Sequence, residues 1–134
     1  MAEVSFVLDP NQIISRKGTT AIGEGIIVTS DGVDSCAIAG AAPTAGLLGV
    51  NIYASTVAGD SLSIANGGIA RVKIGAAVTR NDYVTSDVSG RAVTATLAAA
   101  GATYIQLLGQ ALETASNANE FIAVKITLCP AIIA

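Results

Sequence analysis

The chain of 134 residues contains no histidine and no tryptophan. Without histidine there is no Ser-His-Asp or Cys-His relay, no zinc site of the usual kind, and no side chain that ordinarily titrates near neutrality. Aromatic residues make up 4% of the chain. A carbohydrate or ligand pocket walled by rings would therefore have little beyond Tyr53, Tyr83 and Tyr104 to draw on. Charged residues amount to 13%, about half the ordinary ~25%. The net charge of −3 lacks the basic footprint of a nucleic-acid binder. The two cysteines, Cys36 and Cys129, lie far apart with no C-x-x-C pair, which favours buried thiols over a metal knot or a redox motif.

What is abundant is small and apolar. Counting glycine with the apolar residues and tyrosine with the polar ones gives about 59%, against the usual ~45–50%. A lone monomer with this composition would struggle to cover itself with charge, which points to permanent partners. The surplus does not read as membrane spans. The longest uncharged runs, within Ser35–Gly59 and Ala92–Leu112, are interrupted by Pro43, Asn51, several threonines, Gln106 and Gln110. The N-terminus carries Glu3 where a signal peptide would want a cation. The length suits one domain with one core.

Along the chain, Val4, Phe6 and Leu8 alternate on one face before Asp9-Pro10-Asn11 interrupts the pattern. The polar, glycine-bearing text that follows suggests an N-terminal arm or first strand plus connection over 1–24, separate from a body over 25–134. The body reads as hairpins: Gly25–Thr29 and Val33–Ala39 around Asp31-Gly32, then Asp60–Ile64 and Ile69–Ile74 around Asn66-Gly67. A later pair, Thr103–Leu112 and Glu120–Leu128, flanks the polar turn Glu113–Asn119, and the alanine run near Ala95–Gly101 suits a turn of helix. No internal repeat of fixed period is apparent. The expected fold class is all-β: a single-domain antiparallel barrel or sandwich of short hairpins with an extended N-terminal arm.

Catalytic candidates are few. The pairs Asp31/Asp34 and Asp82/Asp87 could serve as acid and base, but each flanks a turn, where aspartate commonly bonds its own backbone. No phosphate loop is present, GAAPTAGLLG over Gly40–Gly49 lacks the lysine, and DGVD is too short for a calcium loop. The expectation is a non-enzyme with no catalytic, cofactor or metal residues. Arg71 and Lys73 share a strand face, and Arg80 and Arg91 fall near them if the strands pair as read; the face is either simply solvated or a basic patch that docks on an acidic partner.

The segment Ala58–Ile126 is similar to the small capsid decoration (cement) proteins of tailed bacteriophages. The resemblance rests on Gly59-Asp60, the step Gly75–Val78, the run Asn81–Ala92 (NDYVTSDVSGRA), the strand Leu108–Leu112, the linker Glu113–Ser116 and the strand Phe121–Ile126. It covers about half the chain, and the first 55 residues carry no matching pattern. It implies a structural virion protein on the exterior of an icosahedral capsid, assembled in the host cytoplasm. Its partners would be the major capsid protein and itself, commonly as homotrimers, with no nucleic acid and no membrane. It would clamp neighbouring coat subunits. The contact residues expected on this reading are Val4, Phe6, Leu8, Arg71 and Lys73. The alternative is a free β-barrel binding module for a small ligand or carbohydrate.

Overall fold

A computed structural model describes residues 7–43, 46–95 and 103–133. Nine strands are formed and no helix among the described residues. They are β1 (Val7–Gly18), β2 (Ile27–Ser30), β3 (Ser35–Ile38), β4 (Leu47–Asn51), β5 (Ser61–Lys73), β6 (Tyr83–Ser86), β7 (Ala92–Thr94), β8 (Thr103–Ala111) and β9 (Phe121–Ile133). The order in the sheet is β1-β3-β2-β4-β5-β9-β8-β6-β7, with an additional β1–β5 pairing that closes the first five strands into a barrel. The all-β barrel expectation therefore holds. The hairpins β2–β3, β6–β7 and β8–β9 are antiparallel, but β1 meets β3 in parallel, Gly18 opposite Cys36.

Two local expectations meet the structure differently. Of the two possibilities for residues 1–24, an arm or a first strand plus connection, the described part from Val7 forms a first strand, β1, which pairs with β5 from Val7 to Lys17 within the barrel. Pro10 is accommodated because this strand is irregular, with register shifts between Val7 and Asp9, Pro10 and Gln12, and Gln12 and Ile13. Proline is tolerated where a ladder is bulged or has an open side. Second, Asn66-Gly67 is no hairpin turn. β5 continues through it as one strand, and Gly68 takes φ +81°. The Asn66 side-chain amide donates to Leu48 O on β4, so the amide that suggested a reversal anchors a bend instead. The alanine run that suggested a helical turn falls mostly outside the described residues.

The bend lets β5 serve two barrels. Its first half, Ile64 and Ala65, pairs with Asn51 and Val50 of β4, and its second half, Gly68–Lys73, pairs with β9. A second ring, β5-β9-β8-β6-β7, is closed by a parallel bridge between Ile74 and Ala92. The second ring repeats the first. Val28-Thr29-Ser30-Asp31 recurs as Val84-Thr85-Ser86-Asp87, a shift of 56 positions, and Leu47-Leu48-Gly49 recurs as Leu107-Leu108-Gly109, a shift of 60. Hydrogen bonds repeat with the same shifts. Gly25 N–H donates to Asn51 O and Asn81 N–H to Ala111 O, both at 2.8 Å. Ile52 N–H donates to Ser63 O and Leu112 N–H to Ala123 O, both at 2.9 Å; Gly59 N–H donates to Gly18 O and Asn119 N–H to Ile74 O, both at 2.8 Å. Gly25 and Asn81 share a left-handed backbone, φ +73° and +77°. Cross-strand partners match too: Ile14 with Ile64 becomes Ala70 with Val124. The connection from Ala95 to Leu107 is four residues longer than that from Ala39 to Leu47. The repeat therefore exists without a fixed period.

The interior of the first ring holds Ile22, Val28, Cys36, Leu62 and Ile64, and their counterparts Val78, Val84, Ala92, Ile122 and Val124 fill the second. The second cluster also includes Ile27, Val50 and Ala65, which lie where the rings are joined. Both Leu-Leu-Gly strands use the glycine for close approach. A Cβ on Gly49 would overlap Ala65 O, and one on Gly109 would overlap Lys125 O, whereas Gly40 faces open space. Gly49→Ala and Gly109→Ala should each lower stability by at least about 2 kcal/mol in denaturant titration, and Gly40→Ala should stay within ~0.5 kcal/mol of wild type.

Candidate functional site

The stretch Gly75–Val93 concentrates polar residues as an active site would, and the structure resolves it into two turns around β6. Asp82 accepts from Thr79 N–H at 3.1 Å and from the Thr94 hydroxyl at 3.0 Å. Asp87 accepts from Ser89 N–H at 2.8 Å and Arg91 N–H at 2.9 Å, and pairs with Arg91 Nε at 3.2 Å. Gly90, φ +79°, completes the turn and donates to Asp87 O. Both carboxylates are thus occupied by backbone and side-chain donors that shape the turns. Asp31 and Asp34 sit on the exposed β2–β3 turn, whose tip, Val33, is 90% exposed.

Arg71 and Arg91 bring their side chains to the turn between β8 and β9, and Arg80 meets it through its backbone. Arg71, on β5, lines a cleft of about 390 Å³ with Glu113, Thr114, Asn117, Glu120 and Phe121. The Arg80 N–H donates to Thr114 Oγ1 at 2.9 Å, and Arg91 Nη1 donates to Asn119 Oδ1 at 3.0 Å. Lys73 reaches over the Phe121 ring, 5.9 Å from its centroid. The patch is of mixed sign, because Glu113 and Glu120 share the cleft. Each is tied down, Glu113 by Ala123 N–H at 2.8 Å and Glu120 by Asn117 N–H at 3.0 Å. Arg71 Nε is buried without a hydrogen-bond partner. Of the other expected contact residues, Leu8 lies on β1, and Val4 and Phe6 lie outside the described residues.

A second exposed feature gave no sequence signal. Asn51, fully buried on β4, donates to Ile22 O, Gly23 O and Tyr53 O at 3.1, 2.9 and 2.8 Å. These bonds hold the loop after β4 against the loop before β2, and Ser55 reinforces them by accepting from Ile22 N–H at 2.9 Å. The loop presents Tyr53, 67% exposed, and Val57 to solvent. An asparagine within a strand pattern reads as a surface residue, so its burial was not foreseeable. Cys36 is buried, and desolvation pushes its thiol pKa up, which disfavours the reactive thiolate. Among the described residues no group of three or more His, Cys, Asp or Glu side chains is placed to hold a metal ion.

No family model and no curated protein matches the chain. Among solved structures, the N base of head fiber gp8.5 of bacteriophage phi29 has the same fold, with a TM-score of 0.63 over 87% of this chain and 93% of that one at 16% identity.

The repeat supplies an internal control for the turn chemistry, since Asp31 occupies the position equivalent to Asp87. Asp87→Ala should cost about 1–3 kcal/mol in thermal or denaturant unfolding, because it strands two backbone donors. Asp31→Ala should cost less than ~0.5 kcal/mol. Equal effects would show that Asp87 does not hold its turn.

Proposed function

We propose that the chain is a structural protein of a tailed-phage virion, carried on the outside of the icosahedral head, where it holds neighbouring coat subunits together. The observation that carries this reading is the fold it shares, over nearly the whole of both chains, with the base of a phage head fiber. The sequence resemblance of Ala58–Ile126 to capsid decoration proteins points the same way.

The physical properties suit such a role. Both carboxylates of the 75–93 stretch are engaged in shaping turns, so that stretch offers scaffolding and the role we propose is adhesive, not catalytic. A shell with many identical copies multiplies weak contacts, so a protein with few charges and modest exposed apolar groups can bind tightly through repetition. On this reading the partners are the major capsid protein and further copies of the chain, as a homotrimer. Arg71 and Lys73 at the mixed-charge cleft, and the segment with Val4 and Phe6 leading into β1 through Leu8, are the proposed contacts.

Purified protein incubated with heads that lack it should co-sediment with them at a fixed stoichiometry, and decorated heads should withstand heat or chelation longer than bare ones. No co-sedimentation with either immature or expanded heads would exclude the reading.

A further inference from the structure

The joint between the two rings has a recognisable construction. The turn of the β6–β7 hairpin packs onto the first ring, and Gly90 O accepts from Ile27 N–H at 2.8 Å. A Cβ on Gly90 would sit 2.7 Å from Ile26 Cγ2 and 2.8 Å from Ile38 Cγ2, so only a residue without a side chain fits. Around this contact Ile27, Val50 and Ala65 are buried.

The repeat generates this joint a second time on the outside of the molecule. The counterparts of Ile27, Val50 and Ala65 in the second ring are Tyr83, Gln110 and Lys125. With Gly109 and Thr127 they line an open cleft of about 200 Å³. The counterparts of Ile26 and Ile38 are Asp82 and Thr94, which hydrogen-bond each other at 3.0 Å. The counterpart of the docked turn is the exposed β2–β3 turn, where Asp34 stands at the position of Gly90.

We infer that the outer face of the second ring is a disabled copy of the internal joint: it is built to receive the β2–β3 turn of a second copy of this chain and is closed to it by Asp82, Thr94 and Asp34. Transferring the contact between molecules would press the Asp34 side chain where the joint tolerates none beside Gly90 and set its carboxylate against Asp82. Like charges brought together while losing water are strongly unfavourable. The apolar receiving surface is replaced by a hydrogen-bonded polar pair. This is the logic of a capped repeat, in which the terminal faces are made polar so that stacking stops. Any association of native copies therefore uses other surfaces.

The inference is tested by repairing each half of the joint in a different molecule. One full-length chain carries Asp34→Gly, which restores the turn, and the other carries Asp82→Ile and Thr94→Ile, which restores the two isoleucines that the turn packs against. Mixed at equal micromolar concentrations, they should form a one-to-one complex in sedimentation velocity, above any species either shows alone. The face variant mixed with wild type should bind at least tenfold more weakly, because Asp34 remains. Absence of a complex between two variants that melt within a few degrees of wild type would overturn the inference, as would equal binding of the face variant to wild type. If the double substitution does not fold, the Thr94→Ile chain, which keeps the Asp82 cap on Thr79, takes its place under the same criteria.

Discussion

The structure depends on one strand being shared. β5 ends the first barrel with Ser61–Ala65 and begins the second with Ile69–Lys73, so neither ring is complete without it. A 13-residue strand cannot lie along two barrels unless it bends. Asn66 and Gly68 supply the bend, one by tethering it to β4 and the other by adopting a left-handed backbone. Local disruption of a ladder by a bulge or glycine is a common way for sheets to turn corners. Here it distributes one strand between two cores.

Joining two copies of one unit in this way creates an asymmetry that explains much of the sequence. Equivalent positions face opposite environments: the outer face of the first ring is buried by the second, whereas the outer face of the second meets solvent. Ile27 and Ala65 are buried, and their counterparts Tyr83 and Lys125 are exposed. Positions inside each ring keep their character, as Val28 and Val84 do. The apolar surplus that pointed to permanent partners is thus partly absorbed within the chain, because two small barrels and a joint need more apolar surface than one core of the same length.

Hairpins bounded by clear turn chemistry were legible in the sequence. Asp31-Gly32 marked β2–β3, and the polar run Glu113–Asn119 separated β8 from β9. Features set by tertiary geometry were not. Asn66-Gly67 has the chemistry of a turn, and only pairing with strands on both sides shows it to be a bend. The polar letters Arg16-Lys17 disguised β1, which needs interior residues only on its barrel face. The repeat was hidden by the four-residue difference in one connection and by divergence across the joint, leaving only Val-Thr-Ser-Asp and Leu-Leu-Gly as traces. At the candidate site, the sequence placed Arg71 and Lys73 on one strand, and both stand on β5. The carboxylates of Glu113 and Glu120, supplied by a turn distant in sequence, were not anticipated.

The central claim, that β5 binds two equivalent units into one cooperative body, is tested most directly by residue-resolved amide hydrogen exchange. Amides of β5 on both sides of the bend, such as those of Ile64 and Val72, should exchange only through global unfolding and with the same free energy of opening. Opening of the second ring, including Val72, at a markedly lower free energy while Ile64 stays protected would contradict it.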